Sequence, residues 1–250
     1  MAGNSAESGR TTLSRAVALL SCFTVEAREL RLAELSELSG LPRSTTHRIA
    51  EELVEVGAMI RCADGSYAVA LHLWNIASSS PSHRQLRDEA LPLLADLYEA
   101  TRETAQLAVL DGLSARILDK VTGPASAHNV SITGGELPLH ATGVGKVLLA
   151  YSSPDLLVRV VEAGLEPRTR YTIVQPGRLA AHVAKVRETS LGWAREEMTL
   201  GVCSVAAPIR TPEGVLHGAI GVVAKSSSVN LDRAASAVRM AGLSIGRRLG

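Results

Sequence analysis

The sequence predicts an α+β chain, with a small winged helix-turn-helix ahead of a larger domain of mostly antiparallel sheet flanked by helices. Three observations carry that prediction. Two helical periodicities, broken by Gly40-Leu41-Pro42, lie within residues 31–60. Two short β-prone runs joined through Asp64-Gly65 follow directly. Beyond residue 83, strand-length apolar runs mix with helical stretches in an order that suits hairpins rather than a parallel sheet.

The elements follow in chain order. A first helix over Leu13–Phe23 has Ala16, Val17, Leu19, Leu20 and Phe23 to cover its neighbours. Leu32, Leu35 and Leu38 mark the apolar stripe of a second helix. Pro42 then opens a third, at the position where a missing N–H costs nothing. In that third helix Ile49, Leu53 and Val56 are the expected buried stripe, and Arg43, Ser44, His47, Arg48 and Glu51 project from the other side. A short polar face rich in donors near a helix start is what a major-groove reader presents. Arg43, Ser44, Thr45, His47 and Arg48 are therefore the expected DNA contacts, with Arg61 on the wing. Ser44 and Thr45 suit phosphates, whereas His47 and Arg48 suit base edges.

The hairpin runs Met59–Cys62 and Tyr67–Leu71 complete the wing. A linker helix is expected from Leu71 to Ile76, anchored by Trp74, and the serine-rich stretch 77–82 marks a boundary. The expected divisions are 11–71, a linker over 72–82, and 83–250. Pro92 predicts a new helix or a kink near Leu91. Strands are expected over Gln106–Leu110, Ala115–Val121, His128–Ile132, Trp193–Glu197, Cys203–Arg210 and Val215–Ala224. Helices are expected near Gly145–Tyr151, Pro154–Ala163, Arg178–Ser190 and Asp232–Leu249.

Bulk properties narrow the function. With 250 residues of which 46% are hydrophobic, each domain can bury its own core. No apolar run has membrane-spanning length and the polar N-terminus lacks a signal-peptide core, so a cytoplasmic protein with no membrane partner is expected. Cys22, Cys62 and Cys203 show no paired metal-ligand spacing, and reduced thiols are expected in place of a disulfide or a metal site. Residues 1–80 carry seven arginines and no lysine against nine acidic side chains, a net charge of −2. Nonspecific electrostatic affinity for DNA should thus be weak, and tight binding should need two or more copies on a near-palindromic operator.

In the second half, Gly143 and Gly145 flank Val144 ahead of an apolar helix, where main-chain N–H groups could receive an anion. A phosphate loop is excluded, because His140 stands where it needs glycine and Val147 where it needs Ser or Thr. No nucleophile elbow, zinc-protease motif or cysteine metal motif occurs, the histidines are isolated, and no enzyme activity or cofactor is expected.

Leu-Ser-Arg-Ala-Val at 13–17, Leu-Ala-Glu-Leu at 32–35 and Ser-Gly-Leu-Pro-Arg-Ser-Thr-Thr-His-Arg at 39–48 resemble the IclR family of bacterial transcription regulators. The resemblance continues at 109–112, 118–121, 137–146 and 201–209, in the family's order, from about Thr11 to the C-terminus. It implies a repressor with a GAF-like effector-binding domain, assembled as a homodimer or a dimer of dimers. It also implies a small effector held by the loop with Leu137, Gly143, Val144 and Gly145 and by strands carrying Val202, Ser204 and Gly221. The chain departs from the family between Gly192 and Gly201, which is about two residues short. An expected aspartate is missing there, and Glu196 or Glu197 is the candidate replacement. The reading is a largely apolar pocket with anion-binding amides at one end, suited to a small aromatic or short aliphatic acid. The rival readings are an oligomerisation or interaction module without a ligand, and an enzyme domain.

Overall fold

The computed structural model describes residues 11–24, 27–78, 81–124, 126, 133–227 and 231–250. The chain forms two compact units, one ending at Pro81 and the other starting at Ser82. The Trp74 side chain and the strand expected over His128–Ile132 lie outside the described residues.

The first unit runs α1 (Thr12–Leu20), β1 (Glu29–Leu30), α2 (Leu32–Ser39), α3 (Arg43–Glu55), β2 (Met59–Arg61), β3 (Tyr67–Val69) and α4 (Leu71–Ser78). Thr11 caps α1, its hydroxyl accepting from Ser14 N at 3.1 Å. Gly40 ends α2 in the left-handed region, φ +66°, where glycine pays no Cβ penalty. The buried Thr46 hydroxyl donates to Pro42 O at 3.1 Å and ties the start of α3 to the turn. Strands β2 and β3 pair antiparallel as a wing. Its turn is held by Asp64 Oδ1, which accepts from Ser66 N at 3.0 Å and from Ser66 Oγ at 2.6 Å, beside Gly65 at φ +83°. Two-residue β1 adds to β3 and was not signalled by the sequence. Leu19, Leu30, Leu35, Leu41, Ile49, Leu53, Met59 and Tyr67 close one core among these elements.

Three expected core residues are corrected. Val17, Leu38 and Val56 are each more than half exposed. Val56 is the C-cap of α3 rather than part of its last turn, and the buried face of that helix is Thr46, Ile49, Ala50 and Leu53. Leu38 lies about 60° around a helix from Leu35 at 100° per residue, and the narrow contact of two-turn α2 reaches only the latter.

The second unit holds α5 (Pro81–Thr101), β4 (Thr104–Asp111), β5 (Ser114–Val121), β6 (Glu136–Pro138), α6 (Gly143–Tyr151), α7 (Pro154–Glu162), α8 (Pro176–Thr189), β7 (Gly192–Arg195), β8 (Val202–Arg210), β9 (Leu216–Lys225) and α9 (Leu231–Leu249). Six strands form one antiparallel sheet in the order β6-β5-β4-β9-β8-β7. Strand alternation divides its side chains between two layers. Leu107, Val205, Ala207, Ile220 and Val222 pack with Leu86, Leu94 and Leu97 of α5 and with Val238 and Ile245 of α9. Ala108, Ala206 and Ala219 face Val147 and Leu148 of α6 and Leu179 and Val183 of α8. The small residues on this second face let α6 come close.

Pro92 does not start a new helix: α5 runs through it from Pro81 to Thr101. Leu86, Ala90, Leu94 and Leu97 anchor that helix on the sheet on both sides of the proline, and this burial offsets the hydrogen bond the proline cannot make.

Candidate nucleic-acid interface and ligand cavity

Helix α3 displays two adjacent stripes at four-residue spacing, Arg43–His47–Glu51 and Ser44–Arg48–Glu52. Arg43, Ser44, His47 and Arg48 are exposed, and Thr45 is half-buried. Donors occupy the first two turns and carboxylates the next, so the N-terminal half is the part compatible with a polyanion. Arg48 Nη1 pairs with Glu52 Oε1 at 2.5 Å. Glu51 Oε1 accepts from the buried Tyr67 hydroxyl at 2.7 Å and lies 3.7 Å from Arg61 Nη1 and 4.0 Å from His47 Nε2. The wing and the third helix are thus joined through one carboxylate. Arg61 also stacks over the Tyr67 ring, 5.8 Å from its centroid. Burial, then the Glu51 bond, pushes the Tyr67 phenol above its ordinary pKa, so it stays a donor.

In the second unit, a small cavity of about 40 Å3 opens on the α6 face of the sheet. Leu137, Ala141, Ala194, Met198, Val202 and Val223 give it apolar walls, and Gln106, Thr142, Thr199, Glu197 and Ser204 bring polar groups. Thr142 caps α6: its Oγ1 accepts from Gly145 N at 3.1 Å and donates to Pro138 O at 3.0 Å. Ser204 Oγ accepts from Gly143 N at 3.1 Å, which leaves its own proton available to a ligand. A wider depression, lined by Tyr151, Arg159 and His217 among others, lies elsewhere on this unit, and no orphaned buried polar atom marks it among the described residues.

The sequence-named residues divide here. Leu137, Val202 and Ser204 line the cavity. Gly143 and Gly145 do not offer free amides, since Ser204 and Thr142 already take them. Both glycines are instead needed for close packing. A Cβ on Gly145 would stand 2.5 Å from Leu139 O, and one on Gly143 3.0 Å from both Gly192 O and Ser204 Oγ. Val144 is buried in the core under α6. Gly221 pairs with Gln106 and Ala206 on the cavity face of the sheet but lies beneath the lining.

The ambiguity between the two glutamates has a structural answer. Glu196 takes a left-handed φ of +55° and its Oε2 accepts from Gly201 N at 2.8 Å, while Glu197 turns inward. There Lys146 Nζ, 0% exposed, donates to Glu197 Oε1 at 2.6 Å, Glu197 Oε2 at 2.7 Å and Trp193 O at 2.9 Å. All three ammonium protons are used. Burial lowers the Lys146 pKa and the Glu197 charge opposes that shift. Lys146 and Gln106 were missed as site residues, whereas Glu197 was one of the two candidate acids and is the one that lines the cavity. The available signal was a charged or amide side chain inside a segment otherwise apolar, namely GVGKVLLA and TAQLAVL.

The cysteines are unpaired, and burial pushes the Cys203 thiol up, away from thiolate reactivity. Ligand atoms of Glu29, Cys62 and Asp64 lie within 4.8 Å of one another on the wing, but the Asp64 carboxylate already accepts twice from Ser66. No described helix is long and apolar enough to cross a membrane.

His140 is buried with Nε2 3.0 Å from Glu166 O, the geometry of a neutral ring donating from that nitrogen. Burial lowers its pKa from 6.5, the bond to Glu166 opposing and Arg168 and Lys146 adding to the shift. The unfolded chain then takes up the proton before the folded one does. Stability should fall as pH drops through about 6.5, and the loss should stop below the folded pKa. Urea midpoints between pH 7.5 and 5 should show a smaller slope for His140→Gln, whereas an unchanged slope would assign the titration to another group.

The chain matches the family model for the IclR helix-turn-helix domain over residues 12–58 and that for the C-terminal part of bacterial IclR transcriptional regulators over residues 79–247. It is 31% identical over 226 residues to the transcriptional repressor IclR of Escherichia coli K12, covering 89% of this chain and 82% of the relative. It is 29% identical over 249 residues to the regulator XynR of the same strain, covering 96% and 97%. An IclR homologue of Microbacterium hydrocarbonoxydans complexed with 4-hydroxybenzoate superimposes with a TM-score of 0.90 at 28% identity, covering 96% of this chain and 99% of that one. The IclR of Thermotoga maritima gives 0.75 at 25% identity, with 96% and 98% covered. These relatives are regulators and not enzymes. The winged helix with a donor-rich third helix, the antiparallel sheet with its cavity and both family matches lead to one conclusion: the chain belongs to the IclR family of bacterial transcriptional regulators.

Proposed function

We propose that this regulator is a repressor whose operator affinity is set by a small carboxylate-bearing metabolite held in the cavity beneath α6. The observation that carries the reading is Ser204: its hydroxyl faces apolar walls and keeps an uncommitted proton at the N-terminal end of a helix. A carboxylate placed there would accept a hydrogen bond from that hydroxyl and meet the positive end of the α6 dipole. The Microbacterium hydrocarbonoxydans homologue is complexed with an aromatic hydroxy acid, and the cavity here, about 40 Å3, would widen to admit an acid of that size. Arg43, Ser44, Thr45, His47 and Arg48, with Arg61 on the wing, are the proposed DNA contacts. The proposed divisions of labour are 11–71 for DNA, 72–82 for the connection and 83–250 for the effector and self-assembly.

The weak charge of the first unit argues for at least a dimer on a near-palindromic site, acting in the cytoplasm. Genome-wide recovery of bound DNA should give discrete sites with two-fold character, and recovery of none would end the reading. Ser204→Val removes the hydroxyl and puts a methyl where the carboxylate would lie. It should weaken binding of the acid at least ten-fold while the free protein keeps its operator affinity. The rival, an interaction module without a ligand, predicts that no small acid raises the melting temperature of the wild type.

A further inference from the structure

Gln106 stands in the middle of β4, 2% exposed, and lines the cavity. Its Oε1 is buried and has no hydrogen-bond donor among the described residues. Nearly all other buried side chains with polar ends in this unit are paired: Lys146 with Glu197, Thr142 with Pro138 and Gly145, His140 with Glu166. An orphaned acceptor of this kind is held at a cost in the free protein and calls for a missing partner. On β9 the cross-strand neighbour is Gly221, which has no side chain to supply a donor.

A carboxylate cannot satisfy Gln106 Oε1, because it only accepts. Ser204 meanwhile has a proton to give and suits the carboxylate. Gln106 lies opposite Gly221, and Ser204 lies opposite Val223, with β9 between them. That arrangement separates their Cα atoms by two strand spacings and a two-residue offset, roughly 12 Å at ordinary sheet dimensions. The two polar groups thus enter one largely apolar cavity from strands separated by β9. We infer that Gln106 is a specificity-determining residue that selects, among small acids, those carrying a hydroxyl at the end remote from the carboxylate. This rests on the cavity being the effector site, and it adds the second functional group of the effector. The acid's hydroxyl donates to Gln106 Oε1, its carbon skeleton lies between Leu137, Met198 and Val223, and its carboxylate accepts a hydrogen bond from the Ser204 hydroxyl.

Matched acids test the assignment on the full-length protein: 4-hydroxybenzoate with benzoate and 4-methoxybenzoate, and 4-hydroxybutyrate and 6-hydroxyhexanoate with their deoxy partners. Dissociation constants are read by calorimetry for the wild type and Gln106→Met, which keeps the volume and removes the acceptor. At least one hydroxy acid is expected to bind the wild type ten-fold or more tighter than its deoxy and O-methyl partners, and Gln106→Met should erase that preference while still binding the deoxy acid. Equal binding of each pair to the wild type, or a preference that survives in Gln106→Met, overturns the role of Gln106 and leaves the cavity reading standing. Failure of every acid to bind the wild type overturns the cavity reading and this inference with it. A ligand-free readout stands beside these. Removal of an orphaned acceptor should raise the melting temperature of free Gln106→Met by a few degrees, whereas a lowered one would mean that the amide already has its partner.

Discussion

Replacing Lys146 with methionine is expected to destabilise the second unit by about 3–5 kcal/mol, read as a shift of its urea unfolding midpoint. The ammonium is fully buried and spends all its protons on Glu197 and Trp193 O. Without it the Glu197 carboxylate stays buried with little beyond the long Arg195 N contact at 3.3 Å to compensate its charge. A domain is commonly stable by only ~5–15 kcal/mol, so this one change should consume a large part of the margin. Lys146→Met combined with Glu197→Leu should recover most of the loss, because both charges then leave together. The pair has a second consequence. It fixes the 195–201 turn that walls the cavity, so the double variant should fold but hold a ligand less well. A single-variant cost below about 1 kcal/mol would show that the charges are solvated, contrary to the burial described.

Arg48→Ala is expected to weaken operator binding by about 1–3 kcal/mol per half-site and to relax preference at one base pair, provided the guanidinium reads a base edge in bidentate fashion. In the free protein Arg48 is held by Glu52 at 2.5 Å on an exposed surface, an interaction generally worth only a few tenths of a kcal/mol at (i, i+4). DNA can therefore displace the carboxylate at small cost, and Glu52→Gln should bind more tightly at low salt. Ser44→Ala should weaken all sequences more evenly. Gel-shift affinities over a set of single-base operator variants separate these cases. Uniform loss across the set for Arg48→Ala would restrict it to phosphate contact.

Much of the fold follows from local signals. Thr11, Gly40, Thr142 and Gly65 each mark an end or a turn by chemistry that depends on a few neighbouring atoms. Side-chain fate is less local. The exposure of Val56 depends on α3 stopping one residue earlier than its pattern, and the continuity of α5 through Pro92 depends on a sheet distant in sequence. The site divides in the same way. Ser204 and Val202 follow from strand alternation, whereas the opposite fates of Glu196 and Glu197 turn on one left-handed φ. Gly143 and Gly145 drew attention as anion-binding amides, yet their value is the absence of a Cβ where α6 meets Gly192, Leu139 and Ser204. The polar anomalies Lys146 and Gln106 were visible in the sequence, but their partners, or the lack of one, exist only once β4, β7 and β8 are assembled.

Effector control of operator binding is tested most directly by a two-way titration. Operator affinity is measured across concentrations of the acid from the matched set that stabilises the protein most, and affinity for that acid is measured with and without saturating operator. Effector control through the cavity predicts that each ligand changes the other's affinity by the same factor, about 5–150-fold at a coupling of ~1–3 kcal/mol. The same titration with Ser204→Val should show neither change. An acid that binds the wild type with the same affinity whether or not operator is bound would contradict the account.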